Sequence, residues 1–320
     1  ARAARDEGID VTTPTIAVLL PCYNEEAAIE RTVAEFRAAL PGATIYVYDN
    51  NSRDRTVEVA RASGAVVRSE RIQGKGAVVR RMFADVDADV YVMADGDATY
   101  EAAAAPGMVA KMLDEQLDMI VGARVHEAAE AYRRGHVLGN RMMTGLLSRL
   151  FGRSFSDIFS GYRVFSRRFV KSFPVLSAGF EIETEISVHA LELKMPCAEI
   201  ETPYYARPEG SASKLSTYGD GFRILNTILT LYRIERPLLF FGAIGALFAA
   251  VAVALGVPLA ITYMHTHLVP RFPTAVLITG LMIIAALCGF AGLILDTVVR
   301  GRREVRRLAY LGHKAPQSGA

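Results

Sequence analysis

The motif Asp95-Gly96-Asp97 is the feature of this sequence that most suggests chemistry. It directly follows the apolar run 90–94, which predicts a buried strand. Two carboxylates one residue apart at a strand end can hold a hard divalent cation such as Mg²⁺ or Mn²⁺, which takes oxygen ligands and is often shared with substrate phosphates. Alone, the motif is more often an ordinary Asp-Gly turn. Its meaning therefore depends on the elements that surround it.

The segment 15–122 alternates short apolar runs with amphipathic stretches, which predicts an α/β fold with a mostly parallel, buried sheet. The predicted strands are 16–20, 45–48, 66–67, 90–93 and 119–121, and the predicted helices are 25–39, 53–62, 75–84 and 104–115. Polar clusters follow three of these strands, at 21–25, 49–52 and 95–97. Because ligands of parallel sheets gather at the carboxyl ends of strands, the clusters predict one shared site.

The pattern beyond this segment is less regular. It predicts a helix at 141–151, a strand at 162–165, a helix at 183–192 and a strand at 198–205. Glu181 and Glu183 either face the site or begin the third of these elements, and we favour the second role because acids suit the positive end of a helix dipole. The segment 215–236 reads as an amphipathic helix that lies at a membrane interface or on the domain surface.

Two long apolar stretches follow, at 237–263 and 272–299. At roughly 1.5 Å per residue, each exceeds the roughly 30 Å hydrocarbon core of a bilayer. Arginines are concentrated outside this pair, so the positive-inside tendency predicts a two-span hairpin with both termini cytoplasmic. We expect a polar tail at 1–14, a cytosolic domain at 15–214, a basic tail at 300–320, and a plasma-membrane location.

Several other classes of site are disfavoured. Gly74-Lys75-Gly76 is not a P-loop, because Ser69 stands in place of the first glycine and Gly76 follows the lysine. No G-x-G-x-x-G follows the first strand, which argues against a dinucleotide site. The three cysteines lie far apart and predict neither a disulfide framework nor a zinc site. The formal net charge is only +2, and we expect no nucleic-acid partner.

Together these features resemble glycosyltransferase family 2, in the branch that contains dolichyl-phosphate mannose and glucose synthases. The resemblance extends from Thr15 through the paired apolar stretches, on motifs at 21–26 (PCYNEE), 49–54 (DNNSRD), 74–76 (GKG), 95–100 (DGDATY), 160–163 (SGYR) and 207–215 (RPEGSASKL). It implies a GT-A fold, a nucleoside-diphosphate hexose donor and single displacement with inversion. The chain has no Trp, so the Q-x-x-R-W element of processive members is absent and transfer of a single sugar is expected.

The resemblance also implies roles for individual residues. Nucleotide-sugar contacts fall on Pro21, Tyr23, Asn24, Glu25, Asp49, Asn51, Lys75, Asp95, Gly96, Arg207 and Lys214. Asp95 and Asp97 would hold Mg²⁺ or Mn²⁺, and Arg124, Arg141 and Arg163 would bind the acceptor phosphate. Asp95, Asp97, Arg124 and Arg141 are the expected catalytic residues. Many relatives carry a second Asp where this chain has Asn50, so the choice between a UDP-hexose and a GDP-hexose stays open.

The expected acceptor is a polyprenyl phosphate of the undecaprenyl or dolichyl type. Its second pKa near 6 leaves it mostly dianionic at neutral pH, so no dedicated general base is needed. Three alternatives remain: sugar transfer to a hydroxyl of a glycan or lipid, a non-catalytic membrane adaptor that retains the fold, and a soluble nucleotidyltransferase, against which the paired apolar stretches argue. A homo-oligomer is compatible with each interpretation.

Overall fold

The structure is a computed structural model that describes residues 13–126, 144–149, 152, 155–175, 181–206, 230 and 232–317. The chain divides into two compact units. One comprises the chain up to residue 221 together with the residues from 306 onward, and the other comprises residues 222–305.

The first unit is built on a seven-stranded sheet with the strand order β3-β2-β1-β4-β6-β5-β7. The strands are β1 (Ile16–Cys22), β2 (Thr44–Asp49), β3 (Val66–Ser69), β4 (Val90–Met93), β5 (Met119–His126), β6 (Arg163–Ser166) and β7 (Cys197–Tyr204). β1 pairs in parallel with β2 and β4, as do β2 with β3 and β5 with β7, whereas β6 runs antiparallel to β4 and β5. The predicted α/β architecture with a mostly parallel sheet is confirmed.

Helices cover this sheet and connect its strands. They are α1 (Ile29–Ala39), α2 (Thr56–Ala62), α3 (Lys75–Asp85), α4 (Ala105–Asp114), α5 (Arg167–Ser172) and α6 (Ile182–Glu192). α1 begins four residues later than the sequence pattern predicts: residues 26–28 form a turn, in which the Glu25 carbonyl accepts from the amides of Ala28 and Ile29. α2 begins at Thr56, where Asp54 Oδ1 accepts from both the amide and the hydroxyl of that threonine. Glu25 and Asp54 therefore lie in loops at the edge of the sheet.

The central strands are apolar on both faces, as expected for strands covered by helices on two sides. In β1, Val18 and Leu19 point to opposite faces and both are fully buried, and the same holds for Val92 and Met93 of β4. Burial on both sides holds these strands rigidly, so the loops at their carboxyl ends start from fixed positions.

The second unit contains α7 (Pro237–Thr266) and most of α8 (Phe272–Leu311), and each of these helices is long and apolar enough to cross a membrane. The two helices approach closely at glycines. A Cβ on Gly245 would lie 2.9 Å from the Ala285 carbonyl oxygen, and one on Gly292 would lie 3.2 Å from Leu238 Cα. Small residues at such crossings let helix backbones meet, as in membrane helix pairs.

The last turns of α8 belong to the first unit, where they contact the amino-terminal edge of the sheet. The buried carboxylate of Asp118, just before β5, accepts hydrogen bonds from Tyr310 Oη at 2.9 Å and Ser166 Oγ at 2.6 Å, and it pairs with the Arg168 guanidinium. Arg306 Nη1 lies 2.5 Å from Glu192 Oε2. The segment 300–311, which the sequence places in a basic tail, is thus helical.

Two predicted helices fall partly outside the described residues. Within 141–151, residues 144–149 are helical, and within 215–236, residue 230 and residues 232–235 are helical. Arg236 is described and precedes α7 as a non-helical residue, and the rest of both segments lies outside the part of the chain that the structure describes.

Candidate active site

The loops after β1 and β2 are joined to each other by hydrogen bonds. The backbone amide of Asn24 donates to Ser52 Oγ at 2.8 Å, and the side-chain Oδ1 of Asn24 accepts from the backbone amide of Arg53 at 2.8 Å. Asn24 has φ 54°, a left-handed conformation that asparagine tolerates better than most residues. The loops that carry the first two polar clusters thus form one wall at the carboxyl edge of the sheet.

Asn50 holds the next stretch of this wall. Its Nδ2 donates to the carbonyls of Glu70 and Ile72 at 2.9 and 2.8 Å, while its Oδ1 accepts from the Gly74 amide at 2.8 Å. A carboxylate has no N–H to donate and could not make the first two bonds. The departure from a second Asp at this position therefore has a local structural reason: the amide shapes the loop that leads into Lys75.

Gly96 lies against the end of β1. A Cβ at this position would overlap the Sγ of Cys22, which itself is buried. Burial raises the pKa of the Cys22 thiol well above its usual value, and the carboxylates of Glu25, Asp49, Asp95 and Asp97 raise it further. Four carboxylates thus act on one buried thiol, so this edge of the sheet carries concentrated negative charge.

Asp95 and Asp97 occupy different environments although only Gly96 separates them. The Asp95 side chain is 29% exposed, whereas Asp97 is 2% exposed. Asp97 Oδ1 accepts from the Thr99 hydroxyl at 2.6 Å and from the Thr99 amide at 3.3 Å. Asp95 is therefore the accessible carboxylate of the pair, and Asp97 is oriented by the turn that follows.

Lys75, the first residue of α3, reaches across to Asp95. Its Nζ lies 2.6 Å from Asp95 Oδ1 and 2.6 Å from Glu183 Oε1 in the first turn of α6. Burial alone would lower the pKa of the Lys75 ammonium, but the two carboxylates outweigh this effect and raise its pKa well above the ordinary value. The ammonium therefore stays protonated throughout the physiological range.

Gly161 provides the space for this ion cluster. A Cβ there would lie 2.9 Å from Asp95 Oδ2 and 3.1 Å from Lys75 Nζ, closer than ordinary contacts. The Gly161 amide donates to Tyr100 Oη at 2.9 Å, and the Tyr100 ring packs against Tyr204 with centroids 5.2 Å apart. The turn before β6 is therefore held close to the carboxylate.

Arg124 of β5 makes a two-point ion pair with Asp157. Its Nε and Nη2 lie 2.7 and 2.9 Å from the two carboxylate oxygens, and its guanidinium carbon lies 5.4 Å from the centre of the Tyr204 ring. Burial tends to raise the pKa of Asp157, but the hydrogen bonds from Arg124 outweigh this and lower it. Asp157 thereby fixes the plane of the guanidinium.

The expectation that Arg163 binds the acceptor phosphate is wrong. Its side chain is fully buried, and its Nε, Nη1 and Nη2 donate to Ser160 O at 2.9 Å, Ser187 Oγ at 3.0 Å and Ile158 O at 2.5 Å. Burial lowers the pKa of Arg163 to about 10. The side chain points into the interior from the first residue of β6, where it supports the turn that carries Gly161.

The remaining expected nucleotide contacts are distributed along the same edge. Pro21 and Tyr23 are partly exposed, while Glu25 and Asp49 are buried. The Asp49 carboxylate accepts from the Ser52 amide at 3.2 Å. Asn51 is exposed, and its Nδ2 donates to Arg71 O at 3.0 Å. Arg141, Arg207 and Lys214 lie outside the described residues.

Comparison with known proteins assigns this architecture. The sequence pattern of the family described as Glycosyl transferase family 2 matches residues 17–173. Glycosyltransferase AglJ of Haloferax volcanii is 35% identical over 254 residues, which cover 79% of this chain and 82% of AglJ. The chain belongs to glycosyltransferase family 2. The dolichyl-phosphate hexose transferase of the same organism is 28% identical over 227 residues, which cover 71% of this chain and 98% of that protein.

The fold of this family 2 glycosyltransferase has solved counterparts. Glucosyl-3-phosphoglycerate synthase from Mycobacterium tuberculosis, in complex with Mn²⁺, UDP and glucosyl-3-phosphoglycerate, superposes with a TM-score of 0.56 at 24% identity over 68% of this chain and 79% of its own. The expected GT-A-like fold is thereby confirmed. That structure holds Mn²⁺ together with UDP.

The residues of this family 2 glycosyltransferase fit a divalent cation at the DGD motif. The donors are carboxylate oxygens, which suit Mg²⁺ and Mn²⁺. Asp95 already accepts a cationic group, the Lys75 ammonium, and the charge of the surrounding carboxylates reaches the buried Cys22 thiol. Asp95 and Asp97 are the residues that would hold the ion, with the remaining positions left to water and diphosphate oxygens.

Two residues of the site escaped the sequence analysis, and the role of a third was only partly predicted. Asp157 and Tyr100 carried no assigned role, although Tyr100 closes the DGDATY motif. For Glu183 the sequence left open a position facing the site or at a helix start and favoured the helix start; the structure shows both, since Glu183 lies in the first turn of α6 and pairs with Lys75. The run at 180–186 (FEIETEI) carries three acids, so the sequence did not show that Glu183 is the buried one, which therefore requires a partner.

Proposed function

We propose that this chain is a membrane-bound, metal-dependent family 2 glycosyltransferase that moves one hexose from a nucleoside-diphosphate sugar to a polyprenyl phosphate, with inversion at the anomeric carbon. The observation that carries the proposal is the presence, in one chain, of the carboxylate-rich site after β1, β2 and β4 and of two long apolar helices with uncovered sides. Among its relatives, the 28% identical dolichyl-phosphate hexose transferase matches over nearly its whole length.

The exposure of the two apolar helices supports a membrane role. Leu247 of α7 is 64% exposed and Leu287 of α8 is 61% exposed, so these helices are not the buried core of a soluble domain. Their lengths of 30 and 40 residues exceed what a bilayer requires. We infer that the pair spans the plasma membrane. The start of α7 and the end of the apolar part of α8 then lie on the cytoplasmic side, because arginines flank both.

On the donor side, the chain's own residues bind and orient the diphosphate. The loops of Tyr23, Asn24 and Asp49 face the nucleoside, and Lys75 supplies a positive charge close to the diphosphate. A divalent ion at Asp95 and Asp97 would neutralise the charge that builds on the departing diphosphate. The leaving group then needs no proton from the protein.

On the acceptor side, a lipid phosphate brings its own nucleophilic oxygen. With a second pKa near 6 it is mostly dianionic at neutral pH, so no side chain has to remove a proton. Among the residues that the structure describes, Arg124 is suited to orient the lipid phosphate. Asp157 holds its guanidinium in one plane, and an arginine can bind phosphate through two donors. Attack by the phosphate oxygen on the anomeric carbon displaces the nucleoside diphosphate and inverts the centre.

The decisive experiment is a transfer assay with the full chain in detergent or nanodiscs. UDP- and GDP-hexoses would be tested with Mn²⁺ or Mg²⁺ against undecaprenyl phosphate and, in parallel, undecaprenol. We expect an acid-labile glycosyl phosphate, detected by mass spectrometry, with the phosphate only. Transfer to hydroxyl acceptors alone would reject the proposal.

Matched variants separate the enzyme from a non-catalytic adaptor. Asp97→Asn removes a charge at the site, whereas Asp114→Asn removes one from the exposed end of α4. We expect the first variant to lose turnover by about 100-fold or more, in the range found when a group that stabilises transition-state charge is removed. The second should keep full activity. Equal activity of both would contradict the assigned site.

A further inference from the structure

A buried lysine shared between two carboxylates lies at the centre of the site. The Lys75 side chain is 11% exposed and that of Glu183 is 6% exposed, and the ammonium is 2.6 Å from both Glu183 Oε1 and Asp95 Oδ1. Asp95 is the most exposed member of the three. The cluster thus has an interior end at Glu183 and an accessible end at Asp95.

The charges of the cluster do not balance. One ammonium faces two carboxylates, so the three groups together carry one negative charge. A divalent cation that approaches Asp95 meets the Lys75 ammonium already on the same carboxylate, and two cations on one carboxylate repel each other strongly where water is scarce. For the ion to bind well, the ammonium must have another anion to hold it.

Glu183 supplies that second anion. It is held in the first turn of α6, and the charge of the buried Arg163 is also close enough for the two to affect each other. Because Glu183 is buried, it stays near Lys75 whatever binds at the accessible end. A side chain with four methylenes can shift its ammonium between two oxygens without losing an ion pair.

We propose that Lys75 is an internal counter-ion that occupies Asp95 in the resting site, and that Glu183 is the positioning residue that retains Lys75 when a divalent cation takes Asp95. The ammonium then faces the donor diphosphate from the Glu183 side. This inference rests on the proposed metal-dependent sugar-nucleotide site, but it does not depend on the identity of the acceptor.

The proposal predicts opposite effects on metal affinity for the two halves of one ion pair. In Lys75→Gln the competing cation is gone, so Mn²⁺ should bind about tenfold more tightly without nucleotide. In Glu183→Gln the ammonium has only Asp95 left, so Mn²⁺ should bind about tenfold more weakly; outer-shell partners of metal ligands typically change affinity by about 10–100-fold. If the cluster merely stabilised the fold, both variants would weaken binding.

The experiment is a Mn²⁺ titration of the full chain followed by water-proton relaxation, up to millimolar metal and without nucleotide, sugar or lipid. The surface pair Lys111 and Glu115, whose charged atoms are also 2.6 Å apart, provides matched controls. Lys111→Gln and Glu115→Gln should leave the affinity within twofold of the unchanged chain. Thermal unfolding of every variant reports separately on the fold.

A second lysine variant covers the case in which Lys75→Gln does not fold. Lys75→Arg keeps the positive charge and should not raise the affinity for Mn²⁺. The proposal would be overturned if Lys75→Arg raised the affinity for Mn²⁺ as much as Lys75→Gln does. It would also be overturned if Lys75→Gln and Glu183→Gln both lowered this affinity, or if no variant bound Mn²⁺ saturably. Since no acceptor is present, failure of the polyprenyl-phosphate assay leaves this result unaffected, and the reverse also holds.

Discussion

Replacement of Gly161 by alanine tests the geometry of the site with a single methyl group. The added Cβ would lie 2.9 Å from Asp95 Oδ2, and ordinary contacts begin at 3.4 Å, so the carboxylate must move by the difference of 0.5 Å. The backbone of Gly161 is not in the left-handed region, so alanine adds no backbone strain. The expected effect is therefore a displacement of Asp95 and of Lys75 beside it.

The size of the effect follows from this displacement. A misplacement of about 1 Å in a catalytic site can cost about 100-fold in rate, so half of that predicts a loss of about tenfold in kcat/KM. A tenfold loss corresponds to about 1.4 kcal/mol of transition-state stabilisation. The assay is initial-rate sugar transfer over a range of Mn²⁺ and donor concentrations, with thermal unfolding measured on the same sample.

The matched control is Gly107→Ala in α4. No atom lies within 4 Å of the Cβ that this substitution adds. Alanine is the better helix former by up to about 1 kcal/mol, so this variant should be as active as the unchanged chain and slightly more stable. If Gly161→Ala kept kcat/KM within twofold of that control, the close approach of Gly161 to Asp95 would not describe the working enzyme.

Three further predictions concern the fold. Burial lowers the pKa of His189 to about 3, and the nearby charge of Arg306 lowers it further. As the pH falls below 6.5, this histidine therefore becomes protonated in the unfolded chain but stays neutral in the folded chain. Stability should decline by about 1.6 kcal/mol from pH 6.5 to 5, with a slope that approaches about 1.4 kcal/mol per pH unit at the lower end, and His189→Leu should flatten this part of the profile in thermal unfolding scans. Gly292→Leu should lower the unfolding temperature in detergent because its side chain meets the backbone of α7, whereas Gly289→Leu, with open space around its Cβ, should not; equal effects would contradict the helix contact. Tyr310→Phe should cost about 1 kcal/mol in urea unfolding by removing a hydrogen bond to buried Asp118, and an unchanged midpoint would refute that contact.

Much of the fold could be predicted from local pattern. The predicted strand at 90–93 is confirmed as β4 with the same bounds. A strand that is buried on both faces is apolar throughout, so the change to polar residues marks where it ends. Helix starts were predicted less well: residues 25–28 and 53–55 fit a helical pattern but precede the helices, and there the Asp54 carboxylate and the Glu25 carbonyl accept hydrogen bonds from backbone amides. The end of α8 was missed for a related reason. Arginine is a good helix former, so a change from apolar to basic residues marks a membrane boundary and not a helix end.

The candidate site was predictable where it depends on strand ends and unpredictable where it depends on burial. The placement of polar clusters after β1, β2 and β4 follows from the parallel sheet alone. The resemblance assigned Arg163 to the acceptor phosphate, and a sequence motif does not show which way a side chain points. Strand register decided this: Arg163 pairs with Met93 and Val121 in the middle of the sheet, and its side chain enters the interior.

The sequence by itself determined the family, the alternation of strands and helices, the position of the DGD motif after a buried strand and the two apolar helices, because each is encoded by residues that are neighbours along the chain. Only the tertiary structure decided the partners of charged groups. Lys75 and Glu183 meet because α3 and α6 begin at the same edge of the sheet, and Arg124 faces Asp157 because the chain returns through β6 between β4 and β5. Ion pairs form between whichever charges the packing brings within a few ångströms, and that distance is a property of the assembled sheet.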